Sequence, residues 1–273
     1  MKDEILAFFD EEKIEYYAAL DYRDCIETNA RIIGRENFIP KSVIIFLLPY
    51  FVSQPKNLSA YAASEDYHLI IKHLTDALIE RLRSLYPGNS FRGYGDHSPI
   101  DERAAAISAG LGILGDSGLL INEKYGTYAF IADVITDVPA DVLGVNEPTP
   151  VRNCMHCGRC KNACPTGILR GEGDACLSAI TQRKGTLSEG EIALMKRYNT
   201  AWGCDICQSV CPYNEKREIT PIDFFHKNRI EELTSDALAS LDEENFSRRA
   251  FAWRGRKTVE RNVLFFENER EKA

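Results

Sequence analysis

Residues 154–165 read CMHCGRCKNACP, which places Cys154, Cys157, Cys160 and Cys164 at C-x2-C-x2-C-x3-C with Pro165 directly after. This is the bacterial-ferredoxin spacing for 4Fe–4S ligation, in which the fourth cysteine serves a different cluster from the first three. The spacing therefore predicts a second set downstream. Cys204, Cys207 and Cys211 stand in CDICQSVCP, followed by Pro212, and Cys176 is the other downstream cysteine. The expected ligand sets are Cys154, Cys157 and Cys160 with Cys211, and Cys176, Cys204 and Cys207 with Cys164. Each proline ends its loop, because it has no backbone N–H to donate. Cys176 lies 28 positions before Cys204, so an insertion splits the second motif.

Eight of the nine cysteines are thereby used. Disulfides are the first alternative, but the chain begins MKDEILAFFDEEK, without the apolar stretch of an export signal. Cysteine pairs in a cytosolic chain more often bind metal or carry redox chemistry. Zinc suits C-x2-C pairs but has no need of a duplicated C-x2-C-x2-C-x3-C-P pattern. Cys25, alone in an acidic stretch, reads as an ordinary core or half-buried thiol.

The remaining sequence is that of an acidic globular protein. It has 273 residues, 44% apolar composition and a formal net charge of −8, which argues against generic nucleic-acid binding. The longest apolar run, VIIFLLPYFV at 43–52, is broken by Pro49 and is too short for a membrane span. A soluble, cytoplasmic protein is expected, with no membrane partner. Residues 1–37 read as helical, 43–48 as a buried strand, and 64–86 as a helix with apolar residues at three- and four-residue steps. A second helix is expected over 101–109, and 118–122 with 127–136 read as a β-hairpin. The composition changes at 137–150. The expected division is a cofactor- and substrate-binding α/β domain over 1–148, a double-cluster domain over 149–217 and a helical basic tail over 218–273. In that tail Arg248, Arg249, Arg254, Arg256, Lys257 and Arg261 flank Phe251 and Trp253. They read either as a solvated helix face or as a contact for an RNA backbone.

Several ordered segments resemble the epoxyqueuosine reductases, a cobalamin- and iron–sulfur-dependent family of queuosine biosynthesis in tRNA. They are PKSVIIFLLPY (40–50), SAYAASEDYH (59–68), YGDHSPIDERAAAISAGLGILG (94–115), LLINEKYGTYAFIADVITD (119–137), GCDICQSVCPYN (203–214) and FAWRGRKTVERNV (251–263). The resemblance implies an α+β protein: a nitroreductase-like cobalamin domain followed by a bacterial-ferredoxin-like module with two 4Fe–4S clusters. It implies that electrons pass from a ferredoxin- or flavodoxin-type donor through the clusters to cobalamin, which removes an epoxide oxygen as water. By motif position Asp96 matches the family's proton donor, and Lys41, Tyr61, Asp96, Leu120, Ile121, Asn122 and Ser178 match positions bordering the corrin. From the residues alone, Asp96 also reads as a turn or cap before Pro99, and Leu120 and Ile121 as core strand. His97 stands where the family often has serine.

Two departures from the family bear on the substrate. The family's Gly-Trp-Ile-Gly-Lys turn is here Gly112-Ile113-Leu114-Gly115-Asp116, which removes an aromatic ring and reverses a charge. The family's full-length members carry a C-terminal helical-repeat extension beyond the position of Ala273. Three readings follow: a reductase of epoxyqueuosine in tRNA, with the basic segment 248–261 touching RNA; a cobalamin-dependent reductase of another small molecule; or a ferredoxin-type electron carrier.

Overall fold

In a computed structural model, described here for residues 1–270, the apolar run at its centre becomes strand β2 (Ser42–Pro49), buried at every position. A strand buried on both faces has no polar side, so its sequence runs continuously apolar. β2 lies between β1 (Tyr17–Asp21) and β6 (Ala129–Thr136), and β6 also pairs with β3 (Phe91–Tyr94). The sheet order is β1-β2-β6-β3, antiparallel throughout. Mixed α and β content is as expected.

The helices of this first unit are α1 (Asp3–Glu11), α2 (Ala30–Ile33), α3 (Tyr67–Leu85), α4 (Glu102–Ser108) and α5 (Ala140–Leu143). One sheet face presents Val43, Ile45, Leu47 and Ile135 to Ala105, Ala106 and Ile107 of α4. On the other face Phe9 of α1 meets Phe46, their ring centroids 5.5 Å apart. Gly93 is required where β3 passes α3, since a Cβ there would collide with Thr75.

Two expectations are corrected. Residues 1–37 are not helical throughout, because Tyr17–Asp21 adds to the sheet beside β2. That pairing partner lies some twenty-five residues away and leaves no local periodicity. The expected hairpin is also absent: β5 (Leu120–Ile121) pairs with β4 (Ile113–Leu114), and only an isolated Asn122–Gly126 bridge closes the turn before β6. Asn122 explains this. Its side-chain oxygen accepts from the amides of Lys124 and Tyr125, and its amide donates to Leu111 O, tying the turn back towards β4.

The chain folds as two units that interleave in sequence. The first comprises 1–50, 68–156 and 216–222; the second comprises 51–67, 157–215 and 223–273. The second contains α6 (Arg159–Ala163), α7 (Leu177–Thr181), α8 (Glu189–Arg197), α9 (Ile206–Ser209), α10 (Ser235–Ala239), α11 (Glu243–Ser247) and α12 (Arg256–Arg270). Its core gathers Leu58, Trp202, Phe246, Phe251 and Val259, so residues from the 51–67 segment and the C-terminal segment share one apolar cluster. Among the described residues, no helix is long and apolar enough to cross a membrane.

Candidate active site and cluster-binding cysteines

In the first unit the 96–103 stretch, the residues of β5 and the start of β6 line a cavity of about 430 Å³. Asp96, Ser98 and Glu102 supply polar groups, and Leu120, Ala129 and Ile131 supply apolar wall. Asp96 adopts φ 68°, the left-handed region that a non-glycine residue enters at a cost of about 1–3 kcal/mol. Its amide N–H donates to Glu102 Oε1 at 3.1 Å, and its carboxylate lies 3.7 Å from His68 Nε2. The side chain is 47% exposed, so Asp96 sits at the rim of the cavity, not in an enclosed apolar pocket. The cap role falls to Asp101, whose carboxylate accepts from the amides of Arg103 and Ala104 to start α4.

Two acids of this unit are desolvated, Glu102 and Asp133. Burial, then the neighbouring charges of Asp133 and Asp96, push Glu102 up to about 8. Asp133 lies in the middle of β6 opposite Ile45 and Tyr94 and is fully buried. Neither of its carboxyl oxygens has a hydrogen-bond partner. Burial, only partly offset by Ser98 nearby, pushes Asp133 up to about 7. One sequence signal was present: Asp133 interrupts the apolar run AFIADVIT at a position that shares its sheet face with Ile131 and Ile135.

The remaining expected residues are dispersed. Leu120 lines the cavity with Asp96. Lys41 precedes β2 and is exposed, with its backbone bonded to Thr136 and Tyr22. Ile121 and Asn122 are buried but do not line the cavity. His97 is exposed. Tyr61 and Ser178 belong to the second unit, where the Tyr61 hydroxyl accepts from Trp202 Nε1 at 3.0 Å and Ser178 Oγ from Gln182 at 2.9 Å. Cys25 is half-buried and is pushed up to about 12 by burial and the charge of Asp133.

The cysteine motifs lie on irregular backbone. In the first unit, residues 152–154 run beside β4, with the Cys154 amide bonded to Leu114 O at 2.9 Å. The Asp116 amide donates to Cys154 Sγ at 3.4 Å, and the Asp116 carboxylate pairs with His156 Nδ1 at 2.8 Å.

In the second unit Cys160 rides on α6 and Cys164 caps it. Burial would raise the Cys164 thiol. Backbone N–H groups of Leu169, Thr166 and Gly167 and the Thr166 hydroxyl outweigh it and hold the thiol below its usual range. Amides converging on a sulfur in this way stabilise a thiolate. Burial pushes Cys204 and Cys207 up to about 12, and Cys176 is among the neighbours that raise both. Cys164 also acts on Cys204, and Cys160 on Cys207. Cys176 is thus an electrostatic neighbour of the motif despite the 28-residue separation.

Asp205 anchors this loop: fully enclosed, it accepts from the Ser59 hydroxyl, from the Ala60 amide at 2.6 Å and from Gln208 at 3.0 Å. Gly203, at φ 72°, passes so close to Ser59 that a Cβ would collide with it.

The basic segment is largely internal. The buried Arg249 donates to Asn228 O and Ala63 O, each at 2.6 Å. Arg256 reaches Leu238 O and Leu241 O, and Arg261 reaches Gly185 O. Arg248 pairs with Glu65 at 2.6 Å. Trp253 remains 58% exposed with the Arg254 guanidinium 3.6 Å from its ring centroid, and Lys257 is exposed nearby in sequence.

Comparison with known proteins agrees with this arrangement. Residues 153–214 match the family described as a 4Fe-4S double cluster binding domain. The epoxyqueuosine reductase of Cyclobacterium marinum is 31% identical over 247 residues, covering 84% of this chain and 77% of that protein. Several other curated epoxyqueuosine reductases are longer, and the chain spans about half of their length. The solved epoxyqueuosine reductase of Streptococcus thermophilus superimposes with a TM-score of 0.76 at 25% identity, covering 96% of this chain and 80% of that one. An epoxyqueuosine reductase solved with a tRNA-Tyr stem loop has the same fold, with a TM-score of 0.76 at 21% identity over 97% of this chain and 80% of that one. On sequence and fold together, the chain belongs to the epoxyqueuosine reductase family.

Proposed function

We propose that this protein is an iron–sulfur reductase that carries two 4Fe–4S clusters and cobalamin and reduces the epoxide of epoxyqueuosine in tRNA. The observation that carries the reading is the cavity at which the Asp-Ser-x-Pro-type stretch (Asp96 to Pro99) meets the apolar residues of β5 and β6. The residues present suit both cofactors. Cys176, Cys204 and Cys207 with Cys164 would hold one cluster, and Cys154, Cys157 and Cys160 with Cys211 the other, following the ligand spacing. The amides around Cys164 favour the thiolate that iron needs. Apolar Leu120, Ala129 and Ile131 offer a face for a corrin ring, and Thr28, Ser98 and Thr127 offer partners for its amide arms. Lys41, Tyr61, Ile121, Asn122 and Ser178 belong to the same proposal by motif position.

When bound, the clusters and cobalamin supply the electrons. The protein supplies the proton: Asp96, held at the rim of the cavity, delivers it to the departing epoxide oxygen. Residues 1–148 are proposed to be nitroreductase-like and residues 149–217 ferredoxin-like, with a ferredoxin- or flavodoxin-type donor. The tRNA contact is proposed to use the exposed Trp253 and Lys257 together with the half-buried Arg254, which suit stacking and phosphate contact. A small-molecule substrate is the second reading, favoured by Ile113 and Asp116 in place of the family's aromatic and cationic turn residues.

Anaerobic reconstitution tests the cofactor set. The expected result is iron and sulfide for two clusters, together with a corrinoid spectrum perturbed on binding. Iron binding without any corrinoid uptake would instead indicate an electron carrier.

A further inference from the structure

Removing an epoxide oxygen as water breaks two C–O bonds, forms a carbon–carbon π bond and two O–H bonds, and consumes two electrons and two protons. Asp96 can carry one of those protons. The second must reach the same oxygen within the turnover. Resting on the epoxide-reducing reading above, we propose that Glu102 is the proton source that reloads Asp96, and that the buried Asp133 keeps Glu102 protonated.

The geometry carries this. Glu102 Oε1 accepts the Asp96 amide, so the two residues are fixed side by side at the mouth of one cavity. Asp133 shares its sheet face with Ile131 and Ile135, against the helix that Glu102 opens. Its two oxygens are buried without a hydrogen-bond partner, which is costly for a carboxylate and tolerable for a neutral acid. The groups that shift the pair are acidic or neutral. Glu102 faces Asp133, Asp96 and Asp101; Asp133 faces Ser98, Tyr94 and Cys25. The cation lining the cavity, Arg103, directs Nη1 to Gly118 O at 2.7 Å, and His68 lies beside Asp96. Burial favours the protonated form of both acids, and once Asp133 ionises, above about pH 7, its charge would oppose loss of the proton from Glu102. Proton bookkeeping is then complete: Asp96–COOH protonates the oxygen, Glu102–COOH passes its proton to the Asp96 carboxylate, and Asp96 delivers it. Both acids recover protons from solvent through the cavity.

Glu102 acts through Asp96, so its test needs a readout that a merely structural residue would not move. In the full-length protein labelled with 13C at Asp and Glu carboxyls, one resonance should titrate near pH 8, vanish in Glu102→Gln and move to lower pH in Asp133→Asn. Glu102→Gln keeps an oxygen acceptor for the Asp96 amide, so the loop stays in place while the proton is lost. In single turnover the alkaline limb of the pH–rate profile should shift down by at least one pH unit in Asp133→Asn and disappear in Glu102→Gln. Titration of Glu102 in the ordinary glutamate range, or an unchanged midpoint in Asp133→Asn, would overturn the proposal. The titration needs no substrate. A raised midpoint in a protein that leaves the epoxide untouched would therefore fault the epoxide-reducing reading and sink this reloading role with it, whereas ordinary titration in an active enzyme would fault the proton source alone.

Discussion

The Asp96 amide donates to Glu102 Oε1 across 3.1 Å, holding a non-glycine residue in the left-handed region next to a desolvated acid. The bond offsets the backbone strain and fixes where the Asp96 carboxyl can point. Glu102→Ala removes the acceptor and should cost about 1–3 kcal/mol of stability. Thermal unfolding of Glu102→Ala beside Glu102→Gln separates the two effects, since the amide oxygen of Gln keeps the bond.

Asp96→Asn should lower turnover by at least a hundredfold, the scale of a lost general acid. Cluster absorption and corrinoid binding should be unchanged, because Asn has the shape of Asp and the side chain at position 96 is half-exposed. Near-normal turnover would remove the acid role from Asp96 and leave it a turn residue.

The buried acids also govern stability. Asp133 rises from 3.8 to about 7 and Glu102 from 4.5 to about 8, both chiefly through burial. Between these values the folded state binds more protons than the unfolded state, so stability falls as pH rises from about 4 to about 8. For Asp133 the loss is on the order of 4 kcal/mol. Asp133→Asn should flatten this slope and be relatively more stable at pH 8 than at pH 5. Chemical denaturation at the two pH values measures it.

Cys176→Ala should reduce iron and sulfide by one cluster and leave the other in place. Cys176 acts electrostatically on Cys204 and Cys207. Full iron content would show that another group completes the second set.

Much of the fold was legible because it is locally encoded. β2 is a continuous apolar run, and α3 repeats apolar residues at three- and four-residue steps. The helix expected over 101–109 is α4 (Glu102–Ser108). The β5–β6 hairpin misled because the two-residue strands β4 and β5 carry no period, while the intervening Tyr125-Gly126 resembles a hairpin turn. In the site, the double-cluster motif was legible from the cysteine spacing, and residues 153–214 match a 4Fe-4S double cluster binding domain. The acid pair was not: Glu102 and Asp133 are desolvated by the packing of segments distant in sequence. The basic tail misled for the converse reason. Arg249, Arg256 and Arg261 look solvent-facing in sequence, yet each meets backbone carbonyls within its unit.

RNA contact should therefore separate from stability along that segment. Trp253→Ala and Lys257→Ala should each weaken binding of a tRNA stem loop by about 1–2 kcal/mol without shifting the melting temperature. Arg249→Met should instead lower the melting temperature, since it strands Ala63 O and Asn228 O. Electrophoretic mobility shift and thermal unfolding of the same three variants check the division.

The most direct measurement is single turnover of the anaerobically reconstituted, reduced protein, loaded with cobalamin, on an epoxyqueuosine-containing tRNA stem loop. Nucleosides are quantified by mass spectrometry. The account predicts conversion to queuosine that requires both the clusters and cobalamin and is lost in Asp96→Asn. Intact epoxyqueuosine in the presence of a fully loaded, reduced protein would contradict it.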